Sequence, residues 1–302
     1  MFFSRIEDGE RFLKEKNYKR PLFLIAHQDD ELNYAGLIQR LGSSTKIVWL
    51  TNGDGLYFEM GVSPEEYAEI RKNEAINAAR AVGIERENLT FLGFSEVEIY
   101  KRLSELNKKS ESVKVHRDYF EGIKKAVKKA ILEIVPDVIF TDAWQGGHPE
   151  HDLTHFFTLL AIRDLKREQN IQIDFIHLPE YEYTILLAMR FHPLYKGRRY
   201  RIYLTPHELE GKRRLIEAYP SQKRLFSKFE KLFTYIGYIG RIIGGPKSAM
   251  EYLSVEEFGP VPEIDYTKKP HFHDFFTYMF DDYEGRPVTF SRSILPIVKE
   301  FL

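Results

Sequence analysis

Two clusters of histidines and carboxylates, far apart in the sequence, contain the residue types that bind metals and move protons. The first is HQDDE at 27–31, and the second is HPEHD at 148–152. The first follows an apolar run directly, and the second follows one after a short glycine-containing turn. Carboxylates crowded at the end of a buried strand repel one another, and a bound cation would offset that repulsion. The pattern therefore predicts a divalent metal site.

The spacing within the first cluster suggests how its side chains would bind one ion. His27 and Asp30 are three residues apart across an expected strand-to-helix turn, so both can point at the same metal. A third ligand from His151 completes a His/His/carboxylate set with positions left open for water. This set suits Zn²⁺, our first candidate, and also Fe²⁺. Asp29 would remain beside the metal without ligating it, where its carboxylate can accept a proton from water.

Other acidic and histidine side chains are assigned secondary roles. Glu150 and Asp142 are candidates for orienting a ligand histidine. His155, four residues after His151, is an alternative ligand, but we interpret it as a packed histidine and leave it out of the metal set. The HFH sequence at 271–273 is interpreted as structural.

The elements that must position these residues follow from the apolar pattern. Runs of strand length alternate with helical spacing, which predicts βαβ units and a mainly parallel sheet. In such sheets ligands bind beyond the carboxyl ends of the strands, where both clusters would converge. The predicted strands are 21–27, 46–53, 88–94, 136–143 and 171–178. The predicted helices are 65–82, 119–134 and one that begins near residue 151.

The predicted fold class is therefore α/β, with a Rossmann-like sheet flanked by helices and with helical and strand additions at the C-terminus. We predict an α/β catalytic core over 1–180. Residues 181–302 are predicted to pack on that core and shape the cleft within the same domain. In this second half, 199–205 is a predicted strand and 206–219 a predicted helix.

The segment 53–63 contains three glycines and several large side chains, and we predict a mobile flap there. Its Tyr57 and Phe58 could stack on a sugar ring or cover the core, and both interpretations stay open. The glycines lack the GxGxxG and GxxxxGK[ST] spacings, so the sequence does not indicate a dinucleotide or P-loop site.

Composition limits the classes of protein and partner. The chain has 302 residues, a net charge of −1 and no cysteine, which excludes thiolate ligands and gives no support for nucleic-acid binding. We find no secretory signal and no apolar run long enough to span a membrane, so the sequence predicts a soluble cytoplasmic protein. The basic, aromatic stretch 221–245 is predicted to pack on the core, with contact to a membrane surface as the alternative.

The residues of the two clusters also resemble a known family. AHQDDELNYAG (26–36) is similar to the AHxDDE signature of the PIG-L/LmbE-like deacetylases, which are metal-dependent enzymes that remove N-acyl groups, often from N-acetylglucosaminyl conjugates. The similarity covers most of the first 180 residues and is weaker afterwards. It continues at 49–55, 71–84, 88–94 and 136–152, and it resumes at 212–222.

The resemblance implies an activity and a ligand set. His27, Asp30 and His151 would bind the metal, and Asp29 would be the general base. The implied reaction is hydrolysis of an N-acetyl amide on a small sugar conjugate by metal-activated water, without an organic cofactor. Two alternatives remain: an amidase acting on a non-sugar or non-acetyl amide, and a non-catalytic protein that binds metal or carbohydrate.

The same resemblance assigns further residues and contains two departures. His148 matches a histidine that stabilises the oxyanion or protonates the leaving amine, and Arg71 matches an arginine that contacts substrate hydroxyls. Gln28 stands where the family usually has proline, so we expect a looser turn. Glu150 stands where the family usually has aspartate, and its extra methylene makes a relay to His148 geometrically harder.

Overall fold

The computed structural model describes residues 5–107, 112–182, 187–192, 195–227, 231, 234, 248–270, 278 and 281–302. Within these ranges the strands follow the predicted runs and add several short pairs. They are β1 (Ile6–Asp8), β2 (Pro21–Ile25), β3 (Lys46–Thr51), β4 (Leu89–Phe94), β5 (Val138–Asp142), β6 (Asp174–Leu178), β7 (Tyr181–Glu182), β8 (Leu187–Ala188), β9 (Arg199–Tyr203), β10 (Val255–Pro260), β11 (Asp282–Tyr283) and β12 (Arg286–Pro287).

Eight of these strands form one sheet in the order β1-β9-β10-β6-β5-β2-β3-β4. Neighbouring strands are parallel from β6 to β4, and β1 is parallel to β9. Only β10 runs antiparallel to its two neighbours within this described sheet. The α/β, mainly parallel prediction is confirmed.

Helices cover both faces of the sheet, and alternating side chains of each strand pack against opposite layers. In β2, Leu22 and Leu24 contact one buried cluster, whereas Phe23 and Ile25 contact the other. Strands covered on both faces are apolar along their whole length, which explains the continuous runs in the sequence. The described helices are α1 (Gly9–Lys16), α2 (Ala35–Leu41), α3 (Tyr57–Met60), α4 (Pro64–Ala81), α5 (Glu96–Leu106), α6 (Val113–Ile134), α7 (Pro149–Gln169), α8 (Pro206–Glu217), α9 (Ala249–Leu253) and α10 (Leu295–Phe301).

Several element boundaries differ from the predictions for local reasons. Helix α6 begins six residues earlier than predicted because Ser112 caps it. Helix α5 lies in a polar segment to which we assigned no element, and Ser95 caps it by accepting the N–H of Glu98. The predicted flap at 53–63 contains a 3₁₀-helix (Asp54–Leu56) followed by α3.

A buried ion pair in the second half of the chain is hydrogen-bonded to the backbone of the first half. Lys212 on α8 lies 3.0 Å from Glu256 on β10, and its Nζ also donates to the carbonyl oxygen of Asn33 at 2.8 Å. Glu256 accepts the backbone N–H groups of Gly36 and Leu37 at the start of α2. Strands β9 and β10 therefore belong to the same sheet as β2. Lys212 and Glu256 hold the segment that follows β2 through these hydrogen bonds.

Two predictions concern residues that are largely not described. Of the stretch 221–245, only 221–227, 231 and 234 are described, so its packing or membrane contact lies mostly outside the described residues. The histidines at 271 and 273 also lie outside them. Among the helices of the described ranges, none combines the length and the apolar character that a bilayer span requires.

Candidate metal centre and active site

The two sequence clusters meet at the carboxyl ends of β2 and β5. These strands are parallel neighbours, with Leu24 opposite Thr141, and the chain continues from β2 to β3 on the far side. The direction of strand order therefore reverses between β2 and β5, which opens a crevice at this edge. His27 follows β2, and α7 begins directly after His148, so both clusters face this crevice.

Three lone-pair atoms form a compact triangle in the crevice. The Nδ1 atom of His27 lies 3.0 Å from Nε2 of His151 and 3.3 Å from Oδ2 of Asp30. The third side, from Nε2 of His151 to Oδ2 of Asp30, measures 3.4 Å. All three residues are at most 9% exposed. The structure thus brings together the three ligands expected from the sequence.

The size of the triangle fits a first-row divalent ion. Ligands bound at 2.0–2.1 Å lie about 3.4 Å apart around a tetrahedral ion and about 3.0 Å apart at adjacent octahedral positions. The observed separations of 3.0–3.4 Å fall within these values. Two imidazoles and one carboxylate are also a donor set that Zn²⁺ and Fe²⁺ accept. His148 offers another ring nitrogen within 4.8 Å of those of His27 and His151.

Glu150 is placed to orient His27 rather than His148. Its Oε2 lies 2.8 Å from Nε2 of His27 but 3.8 Å from Nδ1 of His148. When Glu150 is ionised, Nε2–H of His27 donates to it and Nδ1 keeps its lone pair for a metal. The relay to His148 that we considered from the sequence is therefore not formed as a direct hydrogen bond.

Glu180 lies beside the triangle and was missed in the sequence. Its Oε2 lies 3.8 Å from Nδ1 of His151, and Asp142 approaches the same nitrogen at 4.0 Å. Asp142 also accepts the N–H of Ala26 at 2.9 Å, which ties β5 to the end of β2. The signal for Glu180 was present, because the residue follows β6 by two positions, as the other site residues follow their strands.

Around the triangle, the described residues include more buried carboxyl groups than cationic side chains. Burial raises the pKa of Asp29 to about 8, although the charge of Arg71 opposes the shift. Burial also acts on Asp30, but the charges and hydrogen bonds of His151 and His27 outweigh it and hold that pKa well below its usual range. A divalent cation would relieve the repulsion in this group. The carboxyl groups with raised pKa values next to the triangle include those of Asp29, Asp142, Glu150 and Glu180.

Asp29 has an unusual backbone conformation and is held by charged neighbours. Its φ of 126° is one that L-residues rarely adopt, and its N–H donates to Glu31 at 3.1 Å. Nη2 of Arg71 lies 3.1 Å from its Oδ2, and the Arg71 guanidinium also lies over the ring of Tyr219. Glu31 in turn accepts hydrogen bonds from Trp49 and Tyr219. Strain retained by so many contacts is typical of a functional position.

Gln28 anchors the turn instead of loosening it. The side chain is fully buried, and its Nε2 donates to the carbonyl oxygen of Thr51 at the end of β3. Gly53 accommodates this arrangement, since a Cβ there would lie 2.5 Å from Oε1 of Gln28 and 3.0 Å from Cβ of Arg71. The glutamine therefore joins two strand ends where the family usually has a proline.

His148 caps the crevice at the first residue before α7. Its ring packs edge-on against that of His27, with 4.6 Å between centroids, and its Nε2 lies 3.5 Å from the hydroxyl of Tyr100. Burial lowers the pKa of His148 well below its usual value, and the charges of His27 and His151 lower it further. A neutral imidazole that can donate one N–H is therefore favoured over an imidazolium.

His155 uses both ring nitrogens in hydrogen bonds away from the metal triangle. Nδ1 lies 2.7 Å from the carbonyl oxygen of Asp142, which can only accept, so this nitrogen carries the proton. Nε2 lies 2.9 Å from the hydroxyl of Tyr266, which must then donate. The residue is fully buried, and its packed role, as interpreted from the sequence, agrees with these contacts.

Two cavities border the metal triangle. One, of about 460 Å³, is lined by His148, Arg71, Tyr57 and Phe58 together with acidic side chains, and we call it the polar cavity. The other, of about 630 Å³, is lined mainly by apolar side chains, and we call it the apolar cavity. Phe58 is 63% exposed, so it lies at the edge of the polar cavity and does not cover the core.

Residues 22–162 match the family model described as "PIG-L: GlcNAc-PI de-N-acetylase". This match covers both sequence clusters and confirms the resemblance drawn from them. A search among curated proteins found no match to this chain.

Solved structures share the fold at low sequence identity. A deacetylase of the teicoplanin biosynthesis pathway superposes with a TM-score of 0.58 and 18% identity, covering 82% of this chain and 99% of its own. The zinc-inhibited form of teicoplanin deacetylase superposes with a TM-score of 0.57 and 17% identity, covering 82% of this chain and 99% of its own. A 4-carboxy-2-hydroxymuconate hydratase from Pseudomonas putida superposes with a TM-score of 0.52 and 13% identity, covering 82% of this chain and 98% of its own. At these identities the likeness shows the fold alone.

Proposed function

From the premise that residues 22–162 carry the PIG-L family match, we propose that this protein is a metal-dependent N-deacetylase. Its substrate would be a small N-acetylglucosaminyl-type conjugate, and the reaction would be hydrolysis of the amide to acetate and a free amine. The fold cannot carry this proposal by itself, because a hydratase shares it. The side chains at the crevice must therefore support it.

The observation that carries the proposal is the triangle of His27, Asp30 and His151 with Asp29 beside it. The triangle has the size of a metal ligand set. Asp29 is the neighbouring carboxylate, and its strained backbone is maintained by the buried Arg71. A protein that only bound metal or sugar would not require a strained carboxylate at this place, so the arrangement favours catalysis over binding alone.

Each side chain can be assigned a part in amide hydrolysis. A divalent ion at the triangle would polarise the carbonyl and make water a better nucleophile near neutral pH. Asp29 accepts the proton of the attacking water and is placed to pass it to the leaving nitrogen as the C–N bond breaks. His148, as a neutral N–H donor, stabilises the oxyanion, a contribution worth roughly 10²–10³ in rate. Arg71 positions the carboxylate of Asp29.

The polar cavity is the proposed sugar site. Tyr57 and Phe58 present aromatic faces of the kind on which sugar rings stack, and Glu96 lies among the lining residues with hydrogen-bonding capacity. Arg71 also lines this cavity, so the contact with substrate hydroxyls inferred from the family remains part of the proposal, beside its contact with Asp29.

The metal is proposed to be Zn²⁺ or Fe²⁺. Both accept the observed donor set, and the His/His/carboxylate triangle leaves positions free for water and substrate. Because a teicoplanin deacetylase with this fold has a zinc-inhibited form, reconstitution should compare one equivalent of each ion with an excess.

The first test measures metal content and acetate release from N-acetylglucosamine conjugates for wild type and Asp29→Asn. We expect about one metal per chain in both proteins, because Asp29 is not a ligand. Turnover should fall at least 10²-fold in the variant, because a general base is lost. The nearly isosteric substitution preserves the volume of the side chain.

Asp30→Asn is the matched control, since it changes the adjacent residue in the same way but removes a ligand. It should lose the metal as well as turnover. Wild type that binds neither Zn²⁺ nor Fe²⁺ would refute the ligand set and the deacetylase with it. Metal binding without turnover on sugar conjugates, followed by activity on other amides, would favour the amidase alternative. Metal binding without hydrolysis of any amide would favour the non-catalytic alternative.

A further inference from the structure

The apolar cavity borders the metal triangle at Asp30 and is also open to solvent. Its interior is lined by aliphatic and aromatic side chains contributed by several elements of the described chain. Half of its polar lining residues are exposed at the solvent side, namely Arg213, Glu217, Lys223 and Ser227. The other half, which are not exposed, are Asp29, Asp30, Asn33 and Glu180. The apolar side chains include those of Leu32, Met189, Ile216, Leu225, Phe226 and Leu253.

This cavity adjoins the polar cavity beside the metal triangle. Asp29, Asp30 and Tyr181 line both spaces, so the carbonyl of a substrate held at the triangle would lie between them. An amide has two substituents, one on the carbonyl carbon and one on nitrogen. With the carbonyl at the metal, the two substituents would point into different cavities.

The chemistry of the polar cavity indicates which substituent it takes. His148 and the exposed aromatic Phe58 line the polar cavity and are not among the described residues that line the apolar one. Acidic side chains, among them Glu96 and Asp282, also line it and suit the amine that hydrolysis releases. The nitrogen side therefore belongs to the polar cavity, and the acyl side is left for the apolar cavity.

We propose that the apolar cavity binds the acyl chain of the substrate, and that the preferred acyl group is an aliphatic chain longer than acetyl. This inference rests on the proposed amide hydrolysis and extends it from the acetyl group to longer acyl groups, which the same residues would hydrolyse. An acetyl group would leave nearly all of a 630 Å³ cavity to water. A medium-length hydrocarbon chain would instead bury its surface against Ile216, Phe226 and Leu253, which is the favourable transfer that such cavities provide.

The test is a series of N-acylglucosamines with acetyl, butanoyl, hexanoyl and octanoyl groups, assayed by amine release with the metal-loaded enzyme. Each buried methylene should raise kcat/KM by about fourfold at most. Octanoyl carries six more methylenes than acetyl, so even half of that maximal factor, about twofold per methylene, would raise kcat/KM by about 60-fold, and we expect at least that ratio. The octyl glycoside of N-acetylglucosamine carries an eight-carbon chain on the sugar instead, and it should gain much less.

Substitutions that fill the cavity provide the structural control. Ile216→Trp on α8 and Leu253→Trp on α9 should each lower the octanoyl-to-acetyl ratio of kcat/KM at least tenfold. Two positions are used because either variant alone could fold poorly. Val115→Trp adds the same ring at a position that is 66% exposed and outside the lining, and its ratio should equal that of wild type.

A binding measurement separates this inference from the proposed function. Metal-loaded Asp29→Asn should bind N-octanoylglucosamine more tightly than N-acetylglucosamine in calorimetry, even without turnover. Amine release with a flat chain-length profile would overturn the acyl assignment while leaving deacetylation intact. A rate gain for the octyl glycoside that Ile216→Trp removes would assign the cavity to an apolar aglycone and would also overturn it.

Discussion

At the scale of single residues, the hydrogen bond between Glu150 and His27 is the contact that most directly orients a proposed metal ligand. It fixes which nitrogen of His27 faces Asp30 and His151. Glu150→Leu should therefore weaken metal affinity by about 10–100-fold, as is usual when the partner of a ligand histidine is removed. Competition with a chromogenic chelator measures this affinity directly.

Glu150→Gln is the conservative control for that prediction. Its amide oxygen can still accept from Nε2–H of His27, so it should lose less affinity than the leucine variant. Equal affinities for wild type, the glutamine variant and the leucine variant would mean that Glu150 does not orient the ligand. Thermal unfolding of the metal-free proteins shows whether either change acts through stability.

Residue types and spacing were enough to predict that His27, Asp30 and His151 come together with Asp29 nearby, but not the conformation of Asp29. Its φ of 126° depends on Arg71, on Glu31 and, through them, on Tyr219, which is 190 residues away in sequence. Such long-range contacts leave no local signal. Glu180 was different, since its position just after β6 follows the same strand-end rule that found the other residues.

At the scale of elements, the pair Lys212–Glu256 connects α8, β10 and the turn after β2. Lys212→Met would leave the buried Glu256 without its cation, which we expect to cost about 3–5 kcal/mol in free energy of unfolding. Because Lys212 also holds the carbonyl of Asn33, near the metal turn, metal affinity should fall as well. Urea unfolding at pH 7 measures the stability change.

The double variant Lys212→Met/Glu256→Gln tests whether the loss comes from the unpaired charge. Removing both charges should recover a large part of the stability, since a neutral side chain is cheaper to bury than an isolated ion. If the double variant were less stable by the sum of the two single effects, the pair would contribute no coupling. Stability of Lys212→Met equal to wild type would refute the network altogether.

Whether a strand could be predicted from the sequence depended on what its side chains contact. Strands β2 to β6 lie between two helix layers and appear in the sequence as apolar runs. Strand β10 was not predicted because it contains two buried glutamates, Glu256 and Glu257. Their charges are compensated by Lys212 and by Arg201 on β9, which a local reading of the sequence cannot detect.

At the scale of the whole molecule, the buried His155 should make global stability depend on pH. Burial lowers its pKa from the usual 6.5 to about 4, although the hydrogen bond to the Asp142 carbonyl opposes the shift. Between these values the unfolded chain binds a proton that the folded protein does not. Stability should therefore fall as pH decreases through this window, by about 2 kcal/mol between pH 7 and pH 5 from this residue.

The comparison of wild type with His155→Gln isolates this contribution from those of other titrating groups. The variant should lose about 2 kcal/mol less than wild type between pH 7 and pH 5 in denaturant unfolding. His207→Gln, at an exposed position on α8, is the control for removing one histidine. Identical pH dependence in wild type and His155→Gln would show that His155 is not buried in its neutral form.

The meeting of two cavities at one metal triangle also bears on the end of the catalytic cycle. Amide hydrolysis yields a carboxylate and an amine, and in this protein each product would lie in its own space with its own opening to solvent. Neither product would have to pass the other on leaving. Departure could then occur in either order, and an accumulated amine would not trap the acid. In an active site with a single opening, by contrast, one product would block the exit of the other.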